Sequence, residues 1–219
     1  MGEQRLQKQI EKEVCKEFCY TDKQMKKVMD FIEKKFGRGK KNKEGLISHE
    51  ITSEYIHTDV VVTGNNEYQH FVSCGMGARE MCNWAVMGQE ELKRIEVMLA
   101  VSPDYELDYE EKGFLCSELT HVTKFPFREN TFFGPGHTIN ASKRFKEKYG
   151  YDYFLFFLPI EQVKVGGIGT IYFLPLIPIY EEERDWMVEN NSFQWLYAMQ
   201  DIGEAVYINK KRKVFIPNK

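Results

Sequence analysis

Two short runs constrain this chain more than anything else in it. Residues 153–158 and 171–176 are almost wholly apolar. A strand with one wet face alternates, so an unbroken apolar strand has to be covered on both faces. The runs therefore predict two adjacent, central strands of a sheet with helices above and below. Other segments rich in Val, Ile, Phe and Tyr, at 55–63, 69–74, 92–101, 152–158 and 169–179, read as the strands of that sheet. Helices are predicted over 108–124, 181–189 and 193–205. The glycines at 166, 167 and 169 suit a turn into the last strand. The fold class is α/β (α+β): a mixed central β-sheet flanked by helices.

Ahead of the sheet, Leu6, Ile10, Val14 and Phe18 recur every four residues. Met25, Val28, Met29, Ile32 and Phe36 recur at three and four. Both patterns predict amphipathic helices, the second capped by Thr21 or Asp22 and ended by Gly37. Six Lys or Arg fall within 34–43. This run reads as a mobile, solvated link between an N-terminal helical extension (1–45) and a main domain (46–219). It is no nucleic-acid patch, since the net charge is -3. No stretch is long and apolar enough to span a membrane. No apolar signal region follows Met1, and Leu6 stands where a myristoylation site needs Ser or Thr. With five cysteines, an odd number, the expectation is reduced thiols and a cytoplasmic protein.

Few residue patterns point to catalysis. Cys15 and Cys19 stand four apart on one helix, but nothing nearby completes a tetrahedral metal site, so packing is the simpler role. His57 and Asp59 share a strand face and form the one pairing on which a small enzyme could rest. No nucleophile elbow, zinc-helix or phosphate-loop pattern accompanies them. Neither Gly75-Met76-Gly77 nor the later glycines lead into a helix as a phosphate cradle does. The expectation is no catalytic residue, no metal and no cofactor. The sharpest charge feature is 104–111, with five acids and no base, and with Tyr105 and Tyr109 interleaved. Tyrosines beside carboxylates suit the capture of a basic protein. A second acidic group, Glu181, Glu182, Glu183 and Asp185, reads as a helix N-terminus.

Five segments in order then resemble the suppressor-of-fused-like domain family. They are His57-Thr58-Asp59-Val60, Phe71-Val72-Ser73-Cys74-Gly75-Met76-Gly77, Arg94-Ile95-Glu96-Val97-Met98-Leu99, the run from Glu129 through Asn130 to His137, Thr138 and Ile139, and the run from Ile171 to Glu183. The resemblance implies a protein-binding domain without catalysis. Animal members join it to a second domain and restrain a transcription factor. Stand-alone bacterial members look like immunity proteins that neutralise polymorphic toxins. This chain has room for the first domain only, and Gly136 stands where the animal segment has an acid. The reading is thus a bacterial immunity protein, or antitoxin, that occludes a cognate toxin, with a basic nuclease as the suited kind. A self-associating scaffold is the other non-enzymatic reading, and the oligomeric state stays open. The partner face is assigned to Tyr105, Asp108, Tyr109, Glu110 and Glu111. The resemblance adds Asn130, Gly136, His137 and Thr138.

Overall fold

The structure is a computed structural model. It describes residues 18–37, 48–49, 55–64, 68–82, 90–202, 207–209 and 212–217. In chain order the elements are α1 (Asp22–Phe36), β1 (Ser48–His49), β2 (Asp59–Gly64), β3 (Gln69–Cys74), β4 (Ile95–Val101), α2 (Tyr109–Arg128), β5 (Thr138–Asn140), α3 (Lys143–Tyr149), β6 (Tyr153–Phe156), β7 (Glu161–Val165), β8 (Gly169–Ile179), α4 (Glu181–Glu189) and α5 (Ser192–Ile202). The strands form one sheet of eight in the order β1-β2-β3-β4-β8-β6-β5, with β7 also paired to β8. β4 and β8 run parallel and the other pairs antiparallel, so the sheet is mixed, as expected.

The apolar runs are explained by period two. Along β8, Leu174 and Leu176 point to one face, where they meet Leu115 and Leu119 of α2 and Phe145 of α3. Ile171 and Phe173 point to the other, against Val28, Ile32 and Phe36 of α1. Further along that face, Ile177 and Ile179 meet Met187 of α4 and Trp195 of α5. β6 divides likewise, Phe154 and Phe156 one way and Leu155 the other. Both strands are therefore dressed on both faces. They are adjacent, as predicted: Tyr153 sits opposite Ile179 and Phe156 opposite Leu176. β8 lies inside the sheet, while β6 is the last but one strand, closed off by short β5.

β8 carries Pro175 and Pro178 despite its central place. A proline breaks a ladder only on the side its missing N–H would face. The Phe173 and Pro175 carbonyls face the β6–β7 side, where they accept from Ile160 N and Phe157 N. Pro175 lies where β7 pairing has ended at Phe173 and β6 pairing starts at Leu176. Pro178 points the other way, beyond the last β4 pair at Met98–Pro175. Neither proline removes a needed donor.

α1 begins with Thr21 as cap. Its hydroxyl accepts from Gln24 N, and the Gln24 side chain accepts from Thr21 N at 2.9 Å. Val28, Ile32 and Phe36 are buried and Met25 and Met29 partly so, which is the face the spacing predicts. Most of the helix expected over 4–19, with Leu6, Ile10 and Cys15, and the loop after Gly37 lie outside the described residues. No described helix is long and apolar enough to cross a membrane.

Candidate functional site

The acidic segment leaves β4 and starts α2, and much of its charge is engaged. Asp108 caps α2, accepting from Glu111 N at 2.8 Å, while the Glu111 side chain accepts from Asp108 N at 3.3 Å. Glu111 also pairs with Lys148 at 2.6 Å, and Glu110 with Arg144 at 3.3 Å. These acids therefore tie the start of α2 to α3, and changing them acts on stability as well as on charge. The two tyrosines differ. Tyr109 is 79% exposed. Tyr105 leans edge-on against Tyr149, ring centroids 5.5 Å apart, and burial pushes its hydroxyl up to about 12.

Tyr105 also borders a groove of about 630 Å³, shared with Glu106, Leu107, Asp108, Tyr68 and Gln69. Sequence reasoning missed the last two. They are brought there by β3–β4 pairing, which sets Gln69 opposite Val101, just before the acidic loop. Nothing local in the sequence signals a contact made by strand register.

The second segment follows α2. Asn130 adopts a left-handed φ of 51° as the chain turns off the helix. Gly136 N donates to Phe156 O at 2.8 Å and Phe156 N to His137 O at 2.9 Å. Thr138 opens β5, opposite Leu155. The His137 ring rests 5.1 Å from Phe132, and burial lowers its pKa, keeping it neutral. Gly136 has φ 86°, and a Cβ there would stand 3.0 Å from Ser192 Oγ. Glycine thus lets the segment pass under the start of α5, beside the partly exposed Phe193. Asp108 and Asn130 bracket the 20-residue α2, which at 1.5 Å per residue is roughly 30 Å long. The two segments are separate patches at opposite ends of one helix.

Two family-like stretches converge on a buried carboxylate. Glu96 has no exposed surface. Its Oε1 accepts from Tyr20 hydroxyl at 2.7 Å, Gly75 N at 2.9 Å and Gly77 N at 3.0 Å, and its Oε2 from Ser73 hydroxyl. The glycines are explained here. A Cβ on Gly75, at φ 145°, would lie 2.1 Å from His57 O, and one on Gly77 2.5 Å from the Tyr20 hydroxyl. Burial raises the Glu96 pKa, opposed by the four donors. A second buried anchor joins Glu183 of α4 to Arg212, both oxygens at 2.8 Å. Glu183 also accepts from Tyr180 N and Phe215 N. The Arg212 guanidinium lies 5.4 Å from the Tyr151 ring, 5.3 Å from Tyr180 and 5.9 Å from Trp195. Of the second acidic group, Glu183 is thus a core residue, and Glu181 and Glu182 stand in the first turn of α4.

His57 and Asp59 do meet, Nε2 to Oδ1 at 3.3 Å. The contact with Asp59 raises the His57 pKa, against the effect of burial. Among the described residues no three His, Cys, Asp or Glu are grouped so as to hold a metal ion.

Comparison with known proteins gives one consistent answer. The family model for Suppressor of fused protein (SUFU) matches residues 54–213. A suppressor of fused homolog from Neisseria gonorrhoeae has a similar solved structure, with TM-score 0.57, 16% identity, and 88% of this chain and 98% of that one covered. A chain of the Sufu–Fu complex matches with TM-score 0.58 and 11% identity, over 89% of this chain and 93% of that one. Drosophila Suppressor of Fused matches with TM-score 0.50 and 11% identity, over 69% of this chain but 39% of its own length. Among curated proteins, none matches.

Proposed function

The chain belongs to the suppressor of fused protein family, and from that premise we propose that it is a non-enzymatic protein-binding module: a bacterial, cytoplasmic immunity protein that neutralises a cognate toxin by covering its active face. The observation that carries the reading is the family match over 54–213, joined to a fold shared with a chain of the Sufu–Fu complex. The most deeply buried carboxylates, Glu96 and Glu183, are surrounded by donors, the arrangement of structural anchors. The partner face runs through the acidic patch of Tyr105, Asp108, Tyr109, Glu110 and Glu111, and the second patch of Asn130, Gly136, His137 and Thr138 lies at the other end of α2. A negative patch with an exposed tyrosine suits a basic toxin such as a nuclease.

Co-expression tests this. The gene beside the one for this chain is searched for a secreted protein with a variable C-terminal domain, and that domain is expressed with and without the chain. Growth restored by the chain, with a complex recovered by size exclusion, is the expected result. A toxic domain that kills equally well in its presence and forms no complex would sink the proposal. The His57–Asp59 contact favours the enzyme reading as second choice. His57→Ala is expected to protect cells like the wild type, and a folded variant that loses protection would turn the argument toward that pair.

A further inference from the structure

The groove beside the acidic loop is lined, among the described residues, by aromatic and acidic side chains. One wall is Tyr68 and Gln69, the other Tyr105, Glu106, Leu107 and Asp108, around about 630 Å³. That volume is within the usual range of a specific pocket. Among the described residues the lining holds two phenol rings and two carboxylates and no Lys, Arg or His. Gln69 adds a buried Oε1 with no hydrogen-bond partner among the described residues. Glu106 is exposed and has no ion-pair partner among them, unlike Glu110 and Glu111. The described residues of the site therefore supply acceptors and aromatic rings, and none of them is a cation.

We propose that this groove seats one arginine side chain presented by a partner protein, its guanidinium against the Tyr68 and Tyr105 rings and paired with the carboxylate of Glu106. The inference rests on the protein-binding reading above. Arginine fits better than lysine for a physical reason. A planar guanidinium stacks on aromatic faces and donates to a carboxylate and an amide oxygen at once, whereas an ammonium is a compact, strongly hydrated point charge. Of the groove residues, Tyr105 is held by Tyr149 and Tyr68 by Tyr207, with centroids 5.5 Å and 4.7 Å apart, so both rings are set in place before anything binds.

The test uses fluorescein-labelled peptides of alternating glycine and arginine, and twins carrying lysine or the uncharged isostere citrulline, titrated into the whole chain by anisotropy. The arginine peptide is expected to bind at least tenfold tighter than the citrulline twin and several-fold tighter than the lysine twin. Glu106→Lys is expected to weaken it at least tenfold. Glu189→Lys, the same change of charge at the exposed end of α4, is expected to weaken it less than twofold. Tyr68→Leu is expected to weaken it several-fold. Thermal melts confirm that each variant is folded. Equal losses from Glu106→Lys and Glu189→Lys would overturn the groove in favour of the general field. Equal binding of the lysine or citrulline twin would overturn the arginine assignment, as would no binding at millimolar peptide. If Glu106→Lys loses the peptide yet still protects cells from the toxin, the groove is not the partner anchor and the protein-binding reading stands. If no toxin is neutralised by the wild type either, that reading fails on its own test.

Discussion

The carboxylate of Glu96 should be the most costly side chain in the molecule to remove. Glu96→Ala strips four buried donors, the Tyr20 and Ser73 hydroxyls and the Gly75 and Gly77 amides, of their acceptor. Val97 N donates to Ser73 Oγ at 2.9 Å, so the serine is already fixed and little can rearrange around it. A buried donor left unpaired costs about 1–3 kcal/mol. Four together approach the whole stability of a domain, about 5–15 kcal/mol. Glu96→Ala is expected not to fold. Two milder variants keep the argument measurable. Tyr20→Phe removes one donor and is expected to cost about 1–3 kcal/mol, and Glu96→Gln keeps one acceptor oxygen and is expected to fold. At this chain length each kcal/mol lowers Tm by roughly 2–4 °C. Urea titration of both single variants and the double gives the coupling directly. Burial raises the Glu96 pKa above its ordinary 4.5. An acid that holds its proton more tightly when folded stabilises the fold at low pH and loses that contribution as pH rises through the folded value. The margin of wild type over Glu96→Gln should accordingly be widest near pH 4 and narrow on raising the pH. A folded Glu96→Ala within about 1 kcal/mol of wild type, or zero coupling between Tyr20 and Glu96, would refute the reasoning.

Arg212→Ala leaves Glu183 buried without its cation and is expected to cost about 3–5 kcal/mol; proteolysis of the C-terminal residues, anchored through Phe215 N and Tyr180, should report it first. Reversal of Asp108, Glu110 and Glu111 to Lys removes a cap, worth about 0.5–2 kcal/mol, and sets like charges against Arg144 and Lys148. A clear drop in Tm is expected, so its effect on a partner has to be read against the milder Glu110→Gln. His57 gains a proton more readily when folded, because of Asp59. Wild type should exceed His57→Gln in stability below pH 6.5, and the excess should vanish as pH rises through the raised value; an excess unchanged from pH 5 to 9 would show that the pair carries no charge-linked stability.

How far the sequence carries depends on the range of the contact. The long strands are legible because both faces are buried, and α1 because Val28, Ile32 and Phe36 repeat on one stripe. The region 108–124 begins as expected and runs to Arg128, past Pro126 in its last turns. Four elements have no counterpart among the expected ones, and two-residue β1 (Ser48–His49) is too short for any pattern. α3 is seven residues long, although Ser142 caps it and Gly150 ends it at φ 83°; so few residues give little periodicity. β5 is three residues, and β7 alternates with exposed Gln162 and Lys164, a pattern an isolated pentapeptide shares with many loops. In the site, the acidic loop shows in the sequence because its charges are consecutive. Its helix cap, its ion pairs to α3 and the wall supplied by Tyr68 and Gln69 do not, since each depends on residues brought in from elsewhere. The glycines of the 75–77 turn were legible as backbone positions, but their service to Glu96 was not.

The placement of Pro175 and Pro178 bears on which wrong structures the chain avoids. Without them, residues 171–179 would be a long, uncharged strand-former, the kind of segment that pairs with copies of itself whenever it is uncovered. In the native register both prolines fall where no ladder bond is missing. A slip of one residue exchanges the two faces of the strand and turns the Pro175 nitrogen toward β4, where a donor is needed. Strands stacked in a fibre would want a donor at both prolines. The same two rings that cost the folded sheet nothing thus act as a gatekeeper whenever this late strand is uncovered, steering it to its places beside β4, β6 and β7.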